Sequence, residues 1–67
     1  MHIFLNSKEN VVENNSTLQM TLEKNNITDF RGIAIAVNDS VIPKSEWIEH
    51  QLQENDRILI IRATQGG

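Results

Sequence analysis

A chain of 67 residues, 39% of them apolar and 22% charged, is long enough for one small folded domain and no more. It contains no cysteine, which excludes disulfides, cysteine-ligated metal sites and a thiol nucleophile. Its net charge of −3 argues against a nucleic-acid-binding surface, which would be basic, so the composition favours a carrier, an adaptor or a binding module.

The N-terminal segment predicts a β-hairpin. Ile3 and Leu5 alternate with their neighbours at the period of two that is typical of a strand with one buried face. Residues 7–10 are polar and predict a turn, after which residues 11–12 start a short return strand. We therefore expect the chain to open with two antiparallel strands.

A helix is predicted after the hairpin. Ser16 is followed three residues later by Gln19, a spacing that resembles a capping box, with Ser16 accepting a free N–H of the first turn. Apolar residues four apart then predict a helix over residues 17–25. The pair at 25–26, two asparagines, supplies a left-handed stop in place of glycine.

The second half of the chain predicts three more strands. Residues 33–37 alternate large and small apolar side chains, and residues 41–42 form a short strand that Pro43 ends. Ser45 is predicted to cap a single helical turn. Residues 58–61 are apolar on both faces, which is typical of a central strand.

This order of elements favours an α+β fold of the β-grasp type. A last strand that is apolar on both faces lies most simply beside the first strand and parallel to it, with the helix packed across one face. We expect a mixed sheet of about five strands in a domain over residues 1–62. Residues 63–67 are expected to hang free as a C-terminal tail.

The tail ends in two glycines, Gly66 and Gly67, after a short polar stretch that includes Thr64 and Gln65. Five extended residues reach about 16–18 Å, enough to enter the active site of another protein. A glycine without a Cβ passes through a narrow channel and offers an unhindered carboxylate. The ordinary alternatives are a frayed end, an expression remnant or the cut end of a leader peptide, although a leader would not need the strand pattern upstream.

Strand parity predicts an exposed apolar patch on the sheet. If Ile3 and Leu5 face the helix, then Phe4 faces away, and Leu59 and Ile61 share its side. We expect this patch to lie beside the root of the tail and to bind a partner. The alternative is a one-residue error in register, which would exchange the two faces.

Other features of the sequence give weaker evidence for a function. Glu46 and His50 stand at the i, i+4 spacing of a metal chelate, but no convincing third ligand accompanies them, so we expect no metal site. Trp47 is expected to cover one end of the core. The acidic residues near the C-terminal end predict a solvated face that could also steer docking onto a basic partner. These residues are Glu46, Glu49, Glu54 and Asp56.

The second half of the chain resembles the thiamine-biosynthesis sulfur carriers of the ThiS family, which are ubiquitin-like β-grasp proteins. The residues that carry the resemblance are Asn38, residues 41–44, Trp47, residues 55–61 and the terminal Gly66 and Gly67. The similarity is clearest from residue 33 onward. One departure is Asn55, where the family more often has glycine. Asparagine tolerates the same left-handed turn.

The resemblance implies a mechanism centred on Gly67. A ubiquitin-activating-type enzyme uses Mg-ATP to adenylate the Gly67 carboxylate, with Thr64, Gln65 and Gly66 threading into its active site. A sulfur donor of the cysteine desulfurase route then displaces AMP to leave a thiocarboxylate, which delivers sulfur to thiazole synthase. We expect this chain to bind no cofactor itself, since it has no glycine-rich phosphate loop.

We therefore expect a protein substrate and carrier rather than an enzyme. It should be monomeric when free, and its negative net charge predicts no nucleic-acid partner. Because the sequence contains no signal peptide or membrane-spanning run, we expect it in the cytoplasm with no membrane partner. A close alternative is the small subunit of molybdopterin synthase, although Pro43 and Trp47 favour the thiamine carrier. A ubiquitin-like interaction module with a chemically idle tail is a second alternative.

Overall fold

The computed structural model describes residues 1–63, which form a five-stranded sheet with one α-helix packed on one face. In chain order the elements are β1 (His2–Leu5), β2 (Lys8–Val11), α1 (Leu18–Lys24), β3 (Ile33–Val37), β4 (Ser40–Ile42), a 3₁₀ turn (Lys44–Glu46) and β5 (Arg57–Arg62). The strands lie in the order β2-β1-β5-β3-β4. Only the pairing of β1 with β5 is parallel within this sheet. The predicted β-grasp fold, with the last strand central and beside the first, is confirmed.

The core lies between α1 and one face of the sheet. The three central strands each contribute a buried isoleucine, at Ile3, Ile35 and Ile58, and α1 covers them with Leu18 and Leu22. Side chains that alternate along a strand point to opposite faces, so these isoleucines define the helix-covered face. The other face, which we call the open face, carries no helix in the described part of the chain.

Trp47 belongs to this core, as the sequence predicts. Its side chain is 1% exposed, and its Nε1–H donates a hydrogen bond of 2.8 Å to the carbonyl of Ile42. The ring meets Phe30 edge to face at 5.4 Å between centroids. The Trp47 carbonyl accepts the N–H of Gln19, so one residue ties β4, the loop before β3 and α1 together.

The hairpin turn is tighter than the polar run at 7–10 predicts. The turn consists of Asn6 and Ser7 alone, at φ angles of 50° and 68°. Two residues with positive φ form the turn type that matches the twist of antiparallel strands. Lys8 therefore already lies in β2, where it pairs with Leu5.

The predicted N-cap at Ser16 is wrong by one residue. Thr17 caps α1, with its hydroxyl accepting the N–H of Met20 at 3.2 Å. The Ser16 hydroxyl instead donates a hydrogen bond of 2.6 Å to the carbonyl of Glu13 and closes the preceding turn. Thr17 has the extended backbone that a cap requires, at φ −92° and ψ 166°.

The predicted cap at Ser45 is also wrong. Ser45 lies inside the 3₁₀ turn, which begins one residue earlier and follows Pro43. The N–H of Glu46 donates to the carbonyl of Pro43 at 2.9 Å, and no side chain caps this turn. The fixed φ of proline prepares the backbone for a turn without a capping side chain.

Asparagine supplies most of the left-handed backbone of this chain. Five asparagines have φ between 50° and 70° and lie in turns or at the helix end: Asn6, Asn15, Asn26, Asn38 and Asn55. Asparagine tolerates this region better than other residues with a Cβ. The predicted left-handed stop of α1 is confirmed at Asn26, and Asn55 adopts the left-handed turn expected of it.

Candidate docking face and tail root

The open face of the sheet carries the apolar side chains that parity predicts. Leu59 is 51% exposed and Ile61 is 45% exposed, and they alternate along β5 with Ile58 and Ile60, which pack towards the core. Phe4 is half-buried and lies outside the buried core. The geometry of the face therefore agrees with the parity argument, and its role in partner binding stays a prediction.

The three residues do not form one patch beside the tail root. Phe4 pairs with Arg57 at the start of β5, whereas Ile61 pairs with Ala34 near the end of that strand. Four residues of strand separate the two positions, about 13 Å. Because β1 and β5 are parallel, only Ile61 lies near the root of the tail, and the predicted position of Phe4 is corrected accordingly.

Phe4 and Leu59 instead share a groove of about 440 Å³ at the turn end of the sheet. Its walls come from Phe4, Asn6, Ser7, Asp39, Arg57, Ile58 and Leu59. The Arg57 guanidinium contacts the Asp39 carboxylate at 3.4 Å, with both side chains largely exposed. An exposed ion pair of this kind is weak. The Asp39 contact therefore holds Arg57 only weakly.

Parity applied to β3 and β4 extends the apolar surface to residues that the sequence analysis did not assign. Val41 is 70% exposed and pairs with Ala36, which in turn pairs with Leu59. Ala34 lies on the same face, beside Ile61. In the sequence, the alternation of large and small residues over 33–37 could have indicated this face, because only the alanines of that strand point away from the core. Ala36 is only 7% exposed, so Val41 and Leu59 on either side of it form the apolar surface there.

A buried carboxylate joins the two turns at the groove end of the sheet. Asp56 is 8% exposed and accepts hydrogen bonds from the Asn38 side-chain amide at 2.9 Å and from the Gln53 N–H at 2.8 Å. The Asn38 amide oxygen accepts the N–H of Arg57 at 2.9 Å. Asn38 and Asp56, both among the residues that carry the family resemblance, thus hold the start of β5 against the β3–β4 turn.

Replacing Asp56 with alanine is expected to lower the free energy of unfolding by about 2–3 kcal/mol, because two part-buried hydrogen bonds to a charged acceptor are lost. Urea denaturation measures the change. The matched control is Glu23→Ala, which removes an exposed carboxylate from α1, where alanine suits the helix, and should cost less than about 0.5 kcal/mol. Equal losses in the two variants would contradict a structural role for the Asp56 link.

Glu54 also makes contacts within the domain, so fewer of the acidic residues 46, 49, 54 and 56 are left to steer docking. Its carboxylate accepts the backbone N–H of His2 at 3.0 Å and lies 3.2 Å from the ring Nδ1 of His2. The backbone hydrogen bond lowers the pKa of Glu54 below its ordinary value of 4.5. A lowered carboxyl pKa means that this contact stabilises the fold at neutral pH and is lost on acidification through the folded-state pKa. Steering by the remaining carboxylates stays a prediction.

The root of the tail is anchored by one backbone hydrogen bond. The N–H of Ala63 donates to the carbonyl of Gly32 at 2.7 Å, one step beyond the last strand pair, Ile33 with Arg62. The sequence predicts a free chain from residue 63, and the structure corrects that expectation for Ala63. The tail residues assigned to threading and modification lie outside the described residues. They are Thr64, Gln65, Gly66 and Gly67.

Two further observations concern metal binding and membrane crossing. Among residues 1–63, no three histidine, aspartate or glutamate side chains lie where they could hold a metal ion. The Glu46–His50 pair is instead joined through the backbone, where the His50 N–H donates to the Glu46 carbonyl at 2.8 Å. No helix in this described stretch has the length and apolar character needed to cross a membrane.

Comparison with known proteins matches residues 2–67, nearly the whole chain, to the ThiS family. A sulfur carrier protein ThiS of Escherichia coli strain K12 is 36% identical over 36 residues. That alignment spans about half of each protein, 54% of this chain and 54% of the relative. The crystal structure of a thiamine biosynthesis protein (ThiS) from Geobacter metallireducens superposes over all of both chains with a TM-score of 0.85 at 14% identity, which shows the shared fold.

Proposed function

The chain belongs to the ThiS family, and on that premise we propose that it is a sulfur carrier of thiamine biosynthesis whose Gly67 carboxyl bears the sulfur. The observation that carries the proposal is that the family match continues through the terminal Gly66 and Gly67 rather than ending with the folded domain. In this role the chain is a protein substrate, acted on by enzymes, and it works in the cytoplasm.

The chemistry begins by activating a carboxylate that resists nucleophiles. An oxygen of the Gly67 carboxylate attacks the α-phosphorus of Mg-ATP, pyrophosphate leaves, and an acyl adenylate forms. A persulfide of the cysteine desulfurase route then attacks the carbonyl carbon and expels AMP, which leaves an acyl disulfide. A second thiol cleaves the S–S bond, is oxidised to a disulfide, and frees the thiocarboxylate. Thiazole synthase receives that sulfur.

In this proposal the folded domain provides the docking surface, and the partner enzyme provides the catalytic groups. We propose that an adenylating enzyme of the ubiquitin-activating type docks on the open face, contacting Phe4, Leu59 and Ile61. Arg57 at the groove would pair with a carboxylate of that enzyme, because its bond to Asp39 is weak and exposed. Tail residues Thr64, Gln65 and Gly66 would then carry Gly67 to the bound Mg-ATP.

Growth without thiamine tests the pathway. In a strain lacking the coding region, the full chain is expected to restore growth on thiamine-free medium, and a variant lacking Gly67 is not. The Glu23→Ala variant, changed on the exposed side of α1 away from the open face, serves as the matched control and should restore growth. Normal growth of the deletion strain together with a loss of molybdenum-enzyme activity would instead favour the molybdopterin synthase alternative. Rescue by the variant without Gly67 would favour an interaction module with an idle tail.

A further inference from the structure

The contact between Ala63 and Gly32 has a use beyond closing the sheet. We propose that it is a positioning clasp, which fixes the point and direction at which the tail leaves the domain. The inference rests on the proposed function, since a clasp matters only if the tail must reach a partner's active site. Gly32 and Ala63 would then be positioning residues for the activation of Gly67, without touching the reacting atoms.

The acceptor side of the clasp is held by its own hydrogen bonds. The Arg31 side chain makes two contacts with the Asp29 carboxylate, at 3.0 Å and 2.9 Å, and the Arg31 N–H donates to the same group at 3.2 Å. The N–H of Ile33 donates to the carbonyl of Phe30 at 3.3 Å. The Ile33–Phe30 hydrogen bond therefore closes the turn that contains Gly32, while the Arg31–Asp29 pair is exposed and adds only weakly to it.

The backbone of Gly32 favours glycine over alanine for a conformational reason. Its φ is +70°, in the left-handed region that residues with a Cβ rarely adopt. Space is not the obstacle, because a Cβ added at Gly32 would meet the Cβ of Ala63 at an ordinary 4.0 Å. A side chain at this position would therefore act by turning the Gly32 carbonyl away from the Ala63 N–H.

Ala63 is the last residue that the clasp holds, and four residues follow it in the sequence. Four extended residues span at most about 13–14 Å. Anchoring the chain at residue 63 raises the effective concentration of the terminal carboxyl at a site within that reach. Releasing the anchor lengthens the tether and lets its direction vary, so productive placements become rarer while docking through the open face is unchanged.

Two variants break the clasp from opposite sides. Ala63→Pro removes the donor N–H. Proline favours an extended backbone at the residue before it, and Arg62 already has the extended backbone of a strand. Its control is Ala63→Ser, which keeps the N–H. Gly32→Ala disturbs the acceptor, and its control is Asn55→Ala, which places alanine at the same φ of 70° at the other end of β5.

The first readout is hydrogen exchange of the Ala63 amide in the free protein, which does not depend on function. Gly32→Ala is expected to speed this exchange about tenfold, because alanine disfavours the left-handed backbone that aims the carbonyl. Asn55→Ala should leave it unchanged. The second readout is thiocarboxylate formation by the adenylating enzyme, with Mg-ATP, a persulfide and a thiol, over a range of carrier concentrations.

Ala63→Pro and Gly32→Ala are expected to lower kcat about three- to tenfold with KM unchanged, whereas the two controls retain the parent values. A general loss of folding would instead raise KM with the fraction unfolded, which circular dichroism reports. Unchanged or higher kcat in both clasp variants would overturn the clasp while the carrier function stands. A parent protein that is never modified would overturn the proposed function, and the clasp's role with it.

Discussion

Leu59→Asp is expected to weaken docking to the adenylating enzyme about 30- to 100-fold while the fold stays intact. Leu59 lies between Phe4 and Ile61 on the open face, so a partner that covers this face would bury the new carboxylate, which would also compete with the partner for Arg57 in the same groove. Burying a polar group in place of an apolar contact costs about 2–3 kcal/mol, which corresponds to this loss of affinity. Binding of the two purified proteins, measured by calorimetry, gives the Kd.

The matched control is Ile48→Asp, because Ile48 is a comparably exposed apolar side chain, 62% exposed, in the segment after the 3₁₀ turn. It adds the same charge, so a twofold or smaller change in Kd would show that the Leu59 effect is local. The free energy of unfolding of both variants should stay within about 0.5 kcal/mol of the parent. An unfolded Leu59→Asp protein, or one that docks normally, would contradict the assignment of the docking face.

Trp47→Ala is expected to have the largest effect on stability, a loss of about 3–5 kcal/mol, because it removes the largest fully buried side chain of a small core. Native domains are stable by about 0.05–0.15 kcal/mol per residue, or about 3–10 kcal/mol for 67 residues, so this change removes a large part of the total stability. Guanidinium denaturation followed by circular dichroism measures the change. Sulfur loading should then fall in proportion to the folded fraction.

Trp47→Phe separates packing from hydrogen bonding at this position. It keeps an aromatic ring against Phe30 but removes the Nε1–H that donates to the carbonyl of Ile42. The expected loss is about 1–2 kcal/mol, much smaller than that of alanine. Similar losses in the two variants would mean that the hydrogen bond, and not the buried ring, accounts for the contribution of Trp47.

The order and topology of the strands follow from local pattern because the core has one helix-covered face. Alternation at Ile3 and over residues 33–37 marks that face, and a last strand that is apolar on both sides belongs in the middle of the sheet. The same reasoning fails for β2, whose residues Lys8, Glu9 and Asn10 are polar. β2 is an edge strand with polar side chains, and a short polar segment of this kind predicts a turn rather than a strand.

Residue roles set by long-range contacts were beyond the reach of pattern. Parity assigns Leu59 and Ile61 to the open face, but the position of Phe4 along that face depends on pairing with Arg57, more than fifty residues away in the chain. The anchor at Ala63 likewise depends on the turn at Gly32. A terminal segment of small and polar residues predicts a free tail unless the acceptor that meets it is known.

Intact-mass spectrometry is the most direct test of sulfur carriage on Gly67. The full chain is incubated with its cognate adenylating enzyme, Mg-ATP, a persulfide source and a thiol, beside a variant lacking Gly67. We expect the full chain to gain the mass difference between one sulfur and one oxygen atom, and the variant to keep its mass. An unchanged full chain, with an enzyme shown to be active, would contradict the proposal that this protein carries sulfur.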